Sequence, residues 1–455
     1  MDIDVSLLQK YNQAVPRYTS YPTVPHWQPE IDKSEWNKIV AEQFQIKNSE
    51  EGISLYIHLP FCESLCTYCG CNKKITTNHS VEQVYIDAII SEWKMYRELM
   101  SAIPVLKELH LGGGTPTFFS PQNLQALLEP ILDDCIIHPE REFSIEGHPN
   151  NTTTEHLETL YNLGFRRISF GVQDNDPTVQ KVINRIQPFS ILIKATTMAR
   201  EAGFLSINFD LIYGLPLQTM VSMRTTIEQC ISLKPDRVAF YSYAHVPWTS
   251  RGQRLFSDTD LPSAHLKMQL HLLGKELFTG NGYYDIGMDH FALPEDDLYK
   301  AMKQKKLHRN FMGYTTQAGG LLIGLGVSSI SDAGIAYAQN KKSLHEYYQC
   351  INNKQLAVQK GYFLTSEDSD FKQYILDLIC TGQTVFEERN LPALQEFTIP
   401  ELQKLEDDKL VEIFENAVVV TKPGKNFIRN ICKAFDLHLL KNKANPSIPV
   451  YSQAI

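Results

Sequence analysis

From Ile53 to Tyr243 the chain alternates short β-branched runs with amphipathic helical stretches, and nothing else in the sequence constrains the fold as much. Strand-like runs occur at 53–59, 106–111, 142–146, 167–171, 206–212 and 237–243. Helix-like segments lie between them at 81–100, 123–133, 154–163, 190–202 and 220–233. Strands separated in series by helices pair in parallel through right-handed crossovers. Such a sheet curls into a partial or full barrel with its site at the carboxyl ends of the strands. The unusual residues fall at those ends. A cysteine loop follows the first strand, Gly112-Gly113-Gly114-Thr115-Pro116 follows the second, and Glu146 closes the third. Gln173 comes after the fourth, Asp210 lies in the fifth, and Ala244-His245 follow the sixth.

The loop holds Cys62, Cys66, Cys69 and Cys71, four of the nine cysteines. The first three are spaced C-x3-C-x2-C, which turns three thiolates toward one point. Three thiolates hold three irons of a [4Fe–4S] cube and leave the fourth iron open to a ligand. The run by itself also admits a zinc site made from all four cysteines, although zinc ligands usually come as two separated pairs. Glycines 112–114 either let backbone groups approach a ligand closely or mark a tight turn. Glu146 can accept from ribose hydroxyls or an amino group, or form a strand-end salt bridge. Gln173, Arg185 and Asp210 each read as ordinary polar residues alone, yet converge on one barrel mouth. Tyr56, in the first strand, is a core tyrosine or one whose hydroxyl reaches the cysteine loop.

A hydrophobic fraction of 43% and a charged fraction of 21% are ordinary for a globular protein. No apolar run is long enough for a bilayer, so a cytoplasmic protein is expected. A net charge of −9 argues against general nucleic-acid binding. Cys135, Cys230, Cys350, Cys380 and Cys432 are scattered singly and read as reduced, mostly buried thiols. Residues 283–334 form an extension carrying Met288-Asp289-His290-Phe291 and Leu307-His308-Arg309-Asn310-Phe311. Beyond about residue 366, helices at 370–380 and 400–407 precede a hairpin at 410–420 turning at Glu415-Asn416, the order of a winged helix. Pro400 suits a helical first turn. Glu401, Glu406, Asp407 and Asp408 against Lys404 would repel phosphates, which argues against DNA as partner. The divisions are an arm at 1–50, a barrel with its extension at 51–335, and a mostly helical domain at 336–455.

Several blocks together carry a resemblance. They are Tyr11-Asn12 with Pro16-Arg17-Tyr18-Thr19-Ser20-Tyr21-Pro22, the cysteine loop through Gly70-Cys71-Asn72-Lys73, and residues 112–117. Further blocks are Gly171-Val172-Gln173-Asp174, residues 210–216, residues 287–292, His308-Arg309-Asn310-Phe311, Gly313-Tyr314-Thr315-Thr316-Gln317, Gly326-Val327-Ser328 and residues 429–432. The chain resembles the radical S-adenosylmethionine (SAM) superfamily and, within it, the oxygen-independent coproporphyrinogen III oxidases. The resemblance implies a [4Fe–4S] cluster on Cys62, Cys66 and Cys69, and two molecules of SAM. The first would contact Tyr56, Gly113, Glu146, Ala244 and Ile330. The second would contact Tyr68, Gly114, Thr115, Gln173, Arg185 and Asp210. Cys71, Arg17 and Arg309 would serve catalysis, with His290 and His308 as further cationic partners for the substrate's carboxylates.

The implied reaction turns two propionates of coproporphyrinogen III into vinyl groups, giving protoporphyrinogen IX in haem biosynthesis. It implies a monomer that uses an external electron donor and needs neither nucleic acid nor membrane. Two departures stand out: Tyr68 where the family has phenylalanine, and Glu146-Gly147-His148-Pro149 where it usually reads Glu-Val-Asp-Pro. A haem-binding, chaperone-like relative would lack the arm and the fourth cysteine, and this chain has both. A haem-degrading radical SAM enzyme finds support only in Gly147-His148. The arm's residues 1–30, rich in Tyr and Pro, cannot form a βα unit. They either trail as a tail or close the barrel mouth, and a radical site's need to exclude water favours a lid.

Overall fold

The computed structural model describes residues 5–316, 320–441 and 451–453. Gln317 of the resemblance lies outside them. The six expected strands form as β1 (Ile53–Leu59), β2 (Val105–Gly113), β3 (Ile136–Gly147), β4 (Arg167–Gln173), β5 (Ser206–Tyr213) and β6 (Arg237–Ser242). Each pairs in parallel with the next. The intervening helices cover one face, burying stripes such as Leu124, Leu127, Leu128 and Ile131. Their starts are fixed locally. Ser120, Thr153 and Thr219 accept the N–H of Asn123, His156 and Ser222 and so cap three of them.

Six more strands extend this run: β7 (Tyr284–Gly287), β8 (His290–Ala292), β9 (Leu321–Leu325), β10 (Ile330–Asp332), β11 (Ala336–Asn340) and β12 (Val358–Phe363). The spatial order is β12-β11-β10-β9-β1-β2-β3-β4-β5-β6-β8-β7. Its two edges are different strands, so the sheet is an open, partial barrel. β9 lies parallel to β1, placing Gly324 opposite Tyr56, while β10–β12 continue antiparallel. The sequence reading gives 283–334 no strand in the sheet. Leu321-Leu322-Ile323-Gly324-Leu325 is a short, wholly buried apolar run, which periodicity alone cannot assign.

Two expected boundaries move. The sheet continues to Phe363, so a division at 335/336 would cut the ladder between β10 and β11. The arm is also not one unit. Its helix Lys33–Lys47 buries Trp36, Ile39, Val40 and Phe44 in the core of the sheet. Leu8, Tyr11, Tyr18 and Tyr21 join a second core with Phe371, Leu378, Phe427 and Phe435 of the C-terminal region. Within that region the helix Ser366–Thr381 ends on Gly382, whose φ of 76° is glycine's to adopt. A three-stranded sheet, Gln383–Val385, Val411–Ile413 and Ala417–Val420, supplies the wing. Pro400 stands in the first turn of the helix Ile399–Asp407, as expected. A helical run from Leu391 leads into it through a widened turn at Leu394–Thr398.

Candidate active site

The concave face of β2–β6 is polar in strict alternation. Glu108 and His110, Glu142 and Ser144, Arg167 and Ser169, Asn208 and Asp210, and Arg237 and Tyr241 line a cavity of about 120 Å³. Residues two apart share a face of a strand, so each strand sends every second side chain inward. Glu142 meets Arg167, and Arg237 meets Asp296 at 2.6 Å, so the deep end is internally neutralised.

At the carboxyl rim the cysteine loop is closed at its neck. Phe61–Cys62 pairs with Lys74–Ile75, with Lys74 N–H donating to the Pro60 carbonyl at 2.8 Å. Cys62 is buried, Cys66 and Cys69 half-buried, and Cys71 exposed. Burial pushes the Cys62 thiol up to about 11 despite the hydroxyl of Thr115 donating to its Sγ at 3.4 Å. Arg185 Nη1 donates to Cys66 Sγ at 3.7 Å. A hydrogen bond between the Cys69 and Cys71 thiols lowers Cys69 and raises Cys71. Among the described residues no three His, Cys, Asp or Glu side chains gather tightly enough for a single metal ion.

The glycines bring β2 against this loop. Gly114 N–H donates to the Leu59 carbonyl at 2.8 Å and Thr115 N–H to that of Phe61 at 3.0 Å. A Cβ on Gly114 would lie 2.7 Å from the Pro60 carbonyl, and Gly113 has φ 118° with the His58 ring 2.7 Å from where its Cβ would be. Close approach and a left-handed backbone therefore exclude any other residue. Gly113 N–H donates to Glu146 Oε2 at 3.2 Å, and His110 Nε2 lies 3.4 Å from Oε1. Burial raises the Glu146 carboxyl, but His110 and the Gly113 amide outweigh it and hold the group below its ordinary value. The Tyr56 hydroxyl stops at His58 Nδ1, 3.0 Å away, and His58 Nε2 in turn reaches the Asn72 carbonyl. Tyr56 thus meets the loop through His58. Ile330 is one strand further on, its backbone packed against Gly324, which lies opposite Tyr56.

Further round the rim, Gln173 ends β4 with φ 65°, and its amide and the Arg185 guanidinium both press on Gly171. Arg185 Nη2 donates to the Gly171 carbonyl at 2.5 Å, while its Nε is buried without a partner. Tyr68 packs against Val179, Ile183 and Leu215, near Arg185. Asp210 accepts from Ser169 and Asn208, and burial next to Glu146 raises it to about 6. His148 is held neutral by burial and by Arg185, falling to about 2. The Ala244 carbonyl accepts from Gln253, which also takes that of Tyr68.

Arg17 and Arg309 lie on the other side. Arg17 Nη2 donates to the Ser242 carbonyl at the end of β6 and its guanidinium lies over the Tyr241 ring at 5.9 Å. It also lines a second cavity of about 340 Å³, between the sheet and the C-terminal region, with His271, Asp289 and Cys380. Arg309 sits on the hairpin His308–Asn310/Gly313–Thr315, 5% exposed, over the Tyr314 ring at 4.9 Å. Its Nε and Nη1 have no partner and no carboxylate pairs with it among the described residues. His290 is no cation: burial, then Arg309, lowers it to about 3 between Tyr241 and Tyr314. Burial lowers His308 as well.

A profile of the Radical SAM superfamily matches residues 56–230. The oxygen-independent coproporphyrinogen III oxidase of Escherichia coli K12 is 38% identical over 445 residues, 96% of both chains. That of Synechocystis is 36% identical over 465 residues, covering 100% of this chain and 98% of its own. The chain belongs to the oxygen-independent coproporphyrinogen III oxidases. The solved structure of the Escherichia coli coproporphyrinogen III oxidase superposes with a TM-score of 0.88 at 37% identity, covering 96% of this chain and 100% of its own.

Membership in a radical SAM family brings a [4Fe–4S] cluster and SAM. The residues fit both. Three thiols sit on one neck-closed loop, and glycines 113 and 114 leave backbone room beside it. The sequence reading missed His58, His110, Ser169, Asn208 and Tyr241, which hold or adjoin the rim residues. The period-two polar alternation along β2–β6 was the signal that would have found all but His58.

Proposed function

We propose that the protein converts coproporphyrinogen III to protoporphyrinogen IX without oxygen, decarboxylating two propionates to vinyl groups. The gathering of the three-cysteine loop, the glycine turn, Glu146 and Asp210 on one rim carries this reading, in a chain that matches the oxidases along nearly its whole length. When bound, the cluster and SAM supply a 5′-deoxyadenosyl radical able to take hydrogen from a propionate. Cys62, Cys66 and Cys69 would hold the cluster. Tyr56, Gly113, Glu146, Ala244 and Ile330 would hold the SAM at the cluster, Glu146 as an ionised acceptor. Tyr68, Gly114, Thr115, Gln173, Arg185 and Asp210 would hold a second SAM beside it. That two-molecule reading is supported by Arg185 and Gln173 facing one way over Gly171.

Arg309 supports the choice of substrate. A buried guanidinium with two unpartnered N–H groups is set to receive a carboxylate in bidentate fashion. Arg17 supplies a second cation over the Tyr241 ring, and Arg309 is close enough to act electrostatically on the same tyrosine. Cys71, exposed past the three-ligand spacing and hydrogen-bonded to Cys69, would act at the rim. The arm would exclude water as part of the wall, since its tyrosines are built into the C-terminal core. Nine free thiols fit a reducing cytoplasm, and an arm tied into its own chain fits a monomer. The acidic residues of the helix Ile399–Asp407 would repel phosphates, which argues against a nucleic-acid partner. Anaerobic incubation with SAM, a reductant and coproporphyrinogen III should give a product lacking two carboxyl groups by mass. An unchanged tetracarboxylate, or an opened or methylated ring, would refute the assignment.

A further inference from the structure

Among the described residues, one exposed surface packs directly on the cysteine loop and has no part in the chemistry above. Residues 246–256 form a turn around the short helix Arg251–Arg254. Ser250 Oγ donates to the Cys69 carbonyl at 3.1 Å, and Gln253 Nε2 to the Tyr68 carbonyl at 2.9 Å. Gly252 leaves a Cβ position only 3.1 Å from the Thr67 carbonyl. The turn is therefore the cysteine loop's own outer wall. It nevertheless shows solvent two large apolar side chains, Trp248 at 38% and Leu255 at 68% exposure.

The charge around that wall runs against the chain's net −9. Arg251 and Arg254 flank the apolar pair and are exposed, and Lys74 is exposed on the far side of the loop's neck. Lys342 is exposed on the side of the loop away from the turn, where its carbonyl accepts from Asn72 of the same loop. Three acidic groups lie near the turn or the loop: Glu63, 3.9 Å from His79; Asp258, 3.1 Å from His245; and Asp260, which accepts the Ser257 N–H. An aromatic and arginine centre with a cationic rim is the composition of a protein interface. Interfaces of electron carriers are small and steered by charge.

We propose that this surface docks a small acidic electron-carrier protein, with a flavin or iron–sulfur centre, that reduces the cluster. The proposal rests on the radical reading of the rim. One electron passes from the reduced carrier to the cluster, the carrier is oxidised by one electron, and no bond or proton changes hands. A radical site needs that electron, and this wall packs directly on the backbone of Thr67, Tyr68 and Cys69 in the loop. A basic rim recruits an acidic carrier and repels the same basic rim on a second copy.

The test uses the full-length, cluster-loaded protein with an acidic flavodoxin and an acidic ferredoxin as probes, and the R251E/R254E variant. Calorimetry at low salt should show carrier binding that weakens at least about tenfold in the variant and fades with salt in the wild type. Cluster reduction by the carrier should slow about as much, while dithionite-driven turnover stays within about twofold of wild type. Dithionite-driven turnover reports on the radical reading alone, so the two failures are told apart. Absence of binding to either carrier, or equal binding by the variant, overturns the proposal. So does a salt-sensitive dimer that the variant abolishes without changing carrier-driven reduction. Should R251E/R254E damage the loop and lose dithionite-driven turnover, Lys342→Glu on the opposite flank decides by the same two readouts.

Discussion

The parallel run β1–β6 and the antiparallel flanks beside it contribute differently, and strand direction explains why. In the parallel run every strand leaves the sheet at the same end. Successive loops then deliver Cys62, Gly113, Glu146, Gln173 and Ala244 to one rim, with Asp210 just inside it. Antiparallel strands leave at alternate ends and cannot stack loops that way. The flanks act by folding back. β10 sets Ile330 against Gly324 opposite Tyr56, the 308–315 hairpin lays Arg309 near Tyr241, and the arm brings Arg17 onto Ser242. The parallel half is thus fitted to hold cofactors, and the flanks to enclose a substrate.

The largest effects should come from the first loop of the parallel half. Cys62→Ser, Cys66→Ser and Cys69→Ser should each abolish bound iron and SAM cleavage. Cys71→Ser should keep the iron and lose turnover. Iron analysis decides, and a Cys71 variant as iron-poor as the others would make Cys71 a ligand and break the division at its first residue.

Next comes the tie between arm and C-terminal core. Tyr21 is 2% exposed and its hydroxyl accepts the Leu437 N–H at 3.1 Å. Tyr21→Ala should cost about 3–5 kcal/mol in denaturant unfolding, with iron content unchanged. Loss of iron in that variant would show the two regions to be one unit. Deleting residues 1–30 outright would expose the same core, so point variants are the sharper probe.

Arg185→Ala should slow decarboxylation on the order of 100-fold while the cluster's absorption persists. Undiminished activity would remove Arg185 from the site. The smallest effect is one of pH. Burial and Glu146 raise Asp210 to about 6, so below that pH its carboxyl is protonated and loses the charge that a bound SAM would meet. SAM affinity should therefore fall roughly tenfold from about pH 7.5 to about pH 5, and Asp210→Asn should flatten the profile. A wild-type profile without that slope would take Asp210 out of SAM binding.

The parallel half was legible because each strand carries its signal locally. Ile53–Leu59 and Thr154–Asn162 are bounded by turn and capping residues within a few positions. Cys62, Gly113, Glu146 and Asp210 could be placed at strand ends for the same reason. The flanks were less legible because their partners are remote. Tyr21 meets Leu437 and Gln28 pairs with Gly361, and no local pattern announces either. Arg309 could be picked out by its block, but not its burial or its missing partner, because those depend on elements far away in the chain.

The division of labour is tested most directly by counting two products of Arg309→Ala in one anaerobic reaction: 5′-deoxyadenosine and vinyl-bearing porphyrinogen. If the flanks hold substrate and the parallel half holds cofactors, 5′-deoxyadenosine should persist within about threefold while vinyl formation falls on the order of 100-fold. Vinyl formation at the wild-type rate, or both products falling together, would contradict it.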